Sequence, residues 1–113
     1  MPDLSNPILN GPVGVATNLE FFNGDEFQID NTKNPTTTSH MWFGTVGDSN
    51  NFCGLATLQY GNGRVVVVGD SSCIEDGTGD PNDGLFNGYT GDAGGVQHTW
   101  ILNASEWLAA PFP

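Results

Sequence analysis

The chain is 113 residues long, one domain's worth, and a chain of that size buries roughly 65% of its unfolded surface, enough for a modest core without a structural metal. Lys33 and Arg64 are its only basic residues besides two histidines, against 13 acids, for a formal net charge of −11. That field repels phosphate backbones and anionic lipid, so neither nucleic acid nor a membrane surface is an expected partner.

Composition narrows the class further. Hydrophobic content of 37% with 16 glycines points to a loop-rich domain, while three Trp and seven Phe separate it from disordered chains. No apolar run approaches the roughly 18 residues of a membrane span, and residues 1–10 lack the basic and apolar regions of a signal peptide. The abrupt start at Pro2-Asp3-Leu4-Ser5-Asn6-Pro7 predicts a single domain, 1–113, cut from a longer chain.

In chain order, Asn10-Gly11-Pro12 and Asn23-Gly24-Asp25 are turn signals that bracket residues 13–22, read as a strand or as a short helix followed by a strand. Residues 26–30 alternate, with Phe27 and Ile29 on one face, as a half-buried strand does. A polar loop follows over 31–39. Residues 40–46, with Met41, Trp42, Phe43 and Val46, form a second strand candidate, broken by the polar run 47–51. Leu55 to Tyr60 and Arg64 to Gly69 then flank Gly61-Asn62-Gly63, the strongest hairpin signal in the chain. Val65 to Val68 do not alternate, which predicts a strand covered on both faces.

Residues 70–95 are polar and glycine-rich and hold Asp70, Glu75, Asp76, Asp80, Asp83 and Asp92, nearly half of the 13 acids. So long a connection is usually functional. The last element reads as an amphipathic helix: Val96, Trp100, Ile101, Ala104, Trp107 and Leu108 fall on one stripe, with Gln97, Asn103 and Glu106 facing outward and Pro111 and Pro113 ending it.

Three segments carry a family resemblance. Asn6-Pro7-Ile8-Leu9-Asn10-Gly11-Pro12, then Tyr60-Gly61-Asn62-Gly63-Arg64-Val65-Val66-Val67-Val68-Gly69-Asp70-Ser71-Ser72, then Ile101-Leu102-Asn103-Ala104-Ser105-Glu106-Trp107-Leu108 resemble the C-terminal half of class I glutamine amidotransferase-like domains. The similarity is to the non-catalytic kind found in secreted bacterial proteins. The resemblance implies a flavodoxin-like α/β fold whose nucleophile elbow would lie in an N-terminal half that this chain lacks. Position 6 is Asn where that family often has His, and no His-x-Glu pair occurs, so glutaminase chemistry is not implied.

Each candidate site has a plainer alternative. Asp70 follows a buried strand directly, where ligands of open α/β sheets collect, and Ser71 and Ser72 adjoin it; it can equally cap the turn. Asp76-Gly77-Thr78-Gly79-Asp80-Pro81-Asn82-Asp83 places oxygens at alternating positions, which suits Ca²⁺ bound by Asp76, Thr78, Asp80 and Asp83, although Pro81 and Asn87 depart from the EF-hand pattern. The bland reading is a solvated acidic turn series. Cys53 and Cys73 are 20 positions apart and expected to form a disulfide, with two buried free thiols as the alternative. A His40 or His98 triad has no supporting spacing, Trp42, Trp100 and Trp107 read as core rather than as a sugar platform, and the sequon at Asn103-Ala104-Ser105 falls inside the helix.

The expectation is an α/β domain: a partial flavodoxin-like layer with a β-hairpin and a C-terminal amphipathic helix, or alternatively a mainly β sandwich with one helix. Its expected role is that of a non-catalytic extracellular (secreted) binding or assembly module, stabilised by Ca²⁺, pairing with other copies of itself or with the missing half of a larger chain. The alternative is a hydrolase or transferase fragment using Asp70 with His98.

Overall fold

Gly61 and Asn62 turn the chain on itself, and the two strands they join organise everything else. Gly61 adopts a φ of 58°, the left-handed region open to glycine at low cost. In this computed structural model, which describes residues 5–17, 19, 21, 24–42, 52–79, 81–83, 87–91 and 97–111, three strands build the main sheet. They are β4 (Thr38–Trp42), β5 (Phe52–Tyr60) and β6 (Gly63–Val68), with β5 in the centre. β6 pairs antiparallel with β5 from Tyr60↔Gly63 to Leu55↔Val68, and β4 pairs antiparallel with the other edge of β5. A two-residue strand β3 (Phe27–Gln28) continues the β6 side, opposite Cys53 and Phe52. A small hairpin of β1 (Asn10–Gly11) and β2 (Gly14–Val15) stands apart as its own two-stranded sheet.

The helix α1 (Gln97–Ala109) closes the chain where the apolar stripe predicts it. It packs on the side of the sheet that carries Val66 and Val68, and with them Trp100 and Ala104 join Ile8, Leu9, Ala16, Met41, Leu55 and Cys73 in one core. Strands, a hairpin and one C-terminal helix are as expected; every strand pair among the described residues is antiparallel.

Several expectations need correction. Val65 and Val67 are each 36% exposed while Val66 and Val68 pack on the core, so the valine run is covered on one face. β-branched residues favour a strand irrespective of the face they occupy, and the only α-helix among the described residues packs with Val66 and Val68. Gln97 and Asn103 do not face outward: both are buried, whereas Glu106 is exposed. The 13–22 segment forms only β2 among its described residues, and its residues 18, 20 and 22 lie outside them, as do residues 43–51 and Val96.

The burial of Asn103 ties the two ends of the chain together. Its Nδ2 donates to the carbonyls of Ile8 and Gly14, both at 3.0 Å, and its Oδ1 accepts from the N–H of Val13 at 2.9 Å. An amide side chain has two donors and one acceptor oxygen, and all are used on backbone that no regular ladder would satisfy. Asn6 performs the same service locally, its Oδ1 accepting from Ile8 and Leu9 N–H at 2.9 and 3.0 Å.

At the far end of α1, Arg64 of β6 donates from Nη1 to the carbonyls of Trp107 and Ala110, both at 2.8 Å, and from Nη2 to that of Pro111 at 3.3 Å. Its guanidinium also lies 5.2 Å from the Trp107 ring centroid. A cation is well placed there, since the last carbonyls of a helix carry its negative pole. One of only two strong cations in the chain is thus spent on seating the helix.

Candidate functional site

The turn after β6 is where the fold and the Asp70 hypothesis meet. Asp70 is buried, and its Oδ1 accepts the N–H of Ser72 at 2.8 Å while its carbonyl accepts the Cys73 thiol at 3.2 Å. Residues 72–74 make a 3₁₀ turn, closed by Ile74 N–H to Ser71 O and Glu75 N–H to Ser72 O. A carboxylate just before such a turn supplies the acceptor that the first free N–H needs. Gly24 presses on it from the other side, so close that a Cβ there would sit 2.7 Å from the Asp70 Cβ. These contacts fit the capping alternative for Asp70.

His98 is engaged elsewhere: its ring lies 5.6 Å from that of Tyr89, tilted by 54°. His40, on β4, is buried, and its Nε2 shares a 2.7 Å hydrogen bond with Thr57 Oγ1 across the strands. Trp100 is in the core with its indole N–H donated to Gln97 Oε1 at 2.6 Å, Trp107 lies under Arg64, and Trp42 is half-buried on β4. The three tryptophans therefore do not form one platform.

The expected Cys53–Cys73 disulfide is absent: both residues are free and buried. Cys53 sits in β5 between β3 and β4, opposite Phe27 and Trp42, whereas Cys73 is on the 3₁₀ turn with its thiol turned to Asp70. Burial pushes the Cys53 thiol above its ordinary range, against smaller opposing effects of Ser39 and the Leu55 backbone. A thiol held protonated in this way is a poor nucleophile.

In the acidic loop, Asp76 Oδ1 accepts both the N–H and the hydroxyl of Thr78, at 3.0 and 2.6 Å, and this holds its carboxyl below the usual range. Asp76 also bridges to Asn87, and Tyr89 N–H reaches Glu75 O, so the loop folds back on itself. Asp80 and the Asp83 side chain lie outside the described residues. Among the described residues no group of three or more His, Cys, Asp or Glu side chains is placed to hold a metal.

The Asp76–Thr78 arrangement recurs. Asp30 Oδ1 accepts the N–H and hydroxyl of Thr32, and Asn34 Oδ1 those of Thr36, at distances from 2.5 to 3.0 Å. The signal is plain in the sequence as Asp or Asn followed two residues later by Thr, a spacing that lets a short side chain mimic a backbone turn.

What remains uncommitted is a surface. Gly54 is covered by Phe21 and Met41, each too close to admit a Cβ. Near the hairpin, the face of β5 and β6 opposite the one that carries Val66 and Val68 exposes Val65, Val67 and, at 77%, Tyr60. Neither β4, β5 nor β6 contains an acidic residue. In a chain with 13 acids, these exposed apolar residues stand on strands that carry none. No family model, curated protein or solved structure matches this chain.

Proposed function

We propose that this chain is a non-catalytic extracellular association module, and that its partner is a second copy of itself, met through the open end of the sheet. The observation that carries this reading is the row of Val65, Val67 and Tyr60, exposed on strands free of acid. Exposed apolar residues set together on a sheet mark an interaction surface more often than a solvated one. Charge decides where two copies can touch. Two bodies of net charge −11 repel at long range, so a self-contact is favoured where the field is weakest, which is the sheet rather than the acidic loop.

The catalytic alternative draws less support, because Asp70 and His98 are each taken up in separate local structure. The family reading, a non-catalytic amidotransferase-like half-domain, is supported by the three short segments quoted above. The acidic, lysine-poor composition supports the extracellular setting.

Sedimentation equilibrium over a concentration series tests the reading. Wild type is expected to form a reversible dimer that strengthens as salt screens the repulsion, while Val65→Lys/Val67→Lys stays monomeric with unchanged circular dichroism. A wild type monomeric throughout overturns it, as does ester or glycoside hydrolysis that disappears in Asp70→Asn.

A further inference from the structure

We infer that Asn62 is a modification site of this protein, the asparagine at which the folded chain deamidates itself, through Gly63, to an aspartyl or isoaspartyl linkage.

The chemistry is that of an Asn-Gly pair. The backbone nitrogen of the glycine, having lost its proton to water or hydroxide, attacks Cγ of the asparagine. The N–Cγ bond forms, the Cγ–Nδ2 bond breaks, and Nδ2 leaves as ammonia with a proton from solvent, closing a cyclic imide. Water then opens either carbonyl of the ring. Opening at Cγ leaves an ordinary aspartyl linkage; opening at the backbone carbon leaves an isoaspartyl one, in which the main chain runs through Cβ and Cγ. Water enters, ammonia leaves, and no other reagent is needed. Glycine permits the approach because it has no Cβ to shield its nitrogen or restrict its backbone.

The sequence holds Asn10-Gly11, Asn23-Gly24, Asn62-Gly63 and Asn87-Gly88, and the fold treats them differently. Asn87 is half-buried, its Oδ1 accepting the Thr90 N–H and hydroxyl at 3.2 and 3.3 Å, and Gly88 is buried. Asn23 lies outside the described residues, and its neighbour Gly24 is packed against Asp70 and Phe21. Asn10 is exposed, yet Gly11 is wedged against the Pro7 carbonyl and the Asn103 side chain. Asn103 also fixes the rest of that hairpin through Val13 N–H and Gly14 O.

Asn62 is the exception. It is exposed in the β5–β6 turn and makes no side-chain hydrogen bond among the described residues. A Cβ on Gly61 would meet nothing within 4 Å, and one on Gly63 only the Tyr60 carbonyl, at 3.5 Å. The turn stands clear of every other described element, so water reaches both residues of the pair.

One bond opposes the attack. Gly69 N–H on Gly54 O fixes the phase of the ladder, and counting down it makes Tyr60 and Gly63 a hydrogen-bonded pair. The Gly63 N–H therefore rests on the Tyr60 carbonyl. It is the last rung before the turn, and end rungs open locally at a free energy well below that of unfolding. Gly11 closes the other hairpin opposite Gly14, where the Asn103 clamp denies it the same freedom.

The product changes the tip of the hairpin. It adds a negative charge two residues from Tyr60, at the end of strands that hold no acid. An isoaspartyl linkage also lengthens the main chain of a tight turn. Both work against a self-contact through Tyr60, Val65 and Val67, a consequence that rests on the association reading above.

The test incubates the folded protein in heavy-oxygen water at mildly alkaline pH, digests it in ordinary water and maps the label by mass spectrometry. Label should enter at position 62 ahead of positions 10, 23 and 87, with isoaspartate among the products. In urea the four pairs should react at similar rates, since the preference for 62 belongs to the fold. Gly63→Val places a strand-favouring residue in open space and should slow labelling at 62 by about tenfold, because its branched side chain shields the amide nitrogen. Faster labelling at 10, 23 or 87 in folded protein, an undiminished preference for 62 in urea, or unchanged labelling in Gly63→Val overturns the site. Asn62→Asp isolates the consequence: in sedimentation equilibrium it should dimerise more weakly than wild type. If it dimerises equally, the consequence falls and the modification site stands. A monomeric wild type removes the association reading and leaves the labelling result as it is.

Discussion

Gly11 lies against the side chain of Asn103: a Cβ placed on Gly11 would come within 2.7 Å of the Asn103 amide carbon and clash with the Pro7 carbonyl as well. The missing side chain on one residue is what lets the other reach the backbone of the N-terminal hairpin. Asn103→Ala should therefore cost about 3 kcal/mol, because it leaves the Ile8 and Gly14 carbonyls and the Val13 N–H without their partner. Gly11→Ala should be destabilising too. Asn103→Ala should not rescue it, since the Pro7 carbonyl still obstructs. Urea denaturation of the singles and the double checks this, and a double variant more stable than Gly11→Ala would sink the account.

The same burial bears on modification. Asn103-Ala104-Ser105 matches an acceptor sequon, yet Asn103 is fully buried and both amide hydrogens are donated inward, while the Ser105 hydroxyl bonds back to Ile101 O at 2.9 Å. Expression in a glycosylating host should give folded protein of unmodified mass. A glycan on Asn103 in folded protein would require this end of the helix to open.

How much of this was legible in the sequence depends on whether the cause was local. The β5–β6 hairpin could be read because Gly61-Asn62 fits a two-residue turn and the flanking residues favour strands. The helix could be read from its apolar stripe. Asn103 could not, since a polar residue is assigned outward by default and its partners lie about 90 positions away on irregular backbone. The valine run misled for a related reason: strand propensity says nothing about which face a distant helix will cover. The Asp/Asn-x-Thr turns are the opposite case, local and readable, and they set a modest structural role for Asp76 beside the cation role that its loop suggests.

Arg64 joins the sheet to the helix terminus, so its loss should be felt as helix fraying. Arg64→Ala is expected to cost about 1–2 kcal/mol and to unprotect the last helical turn in hydrogen exchange. Arg64→Lys keeps the charge but not the fork of donors, and should recover about half of that. Full recovery by lysine would mean that charge alone seats the helix.

Neither thiol should react with a chromogenic disulfide reagent in the native protein near neutral pH, and both should react on unfolding. Burial raises the Cys53 pKa in the folded state, so its contribution to stability is present below the unfolded value and is lost as pH rises through the folded one. Alkaline titration should accordingly loosen the β3–β5–β4 junction. Rapid labelling of Cys53 in folded protein would contradict its burial.

The three Asx–Thr turns contain their own control for acid. Asp30 and Asp76 are each held below the ordinary carboxylate value of 3.8, mainly by the hydroxyl and N–H of Thr32 and Thr78. Their folded values are depressed, so the turn stabilisation they provide is present above the unfolded pKa and is lost as pH falls through the folded value. Asn34 makes the same pair of bonds to Thr36 with an amide that does not titrate in this range. In an acid titration followed by amide NMR, the Thr32 and Thr78 signals should move together while Thr36 holds still. Asp76→Asn should make Thr78 behave like Thr36, since an amide oxygen can accept both bonds without carrying a proton. If all three threonines shift alike in wild type, a general acid opening of the loops, rather than protonation of these two carboxylates, governs the response.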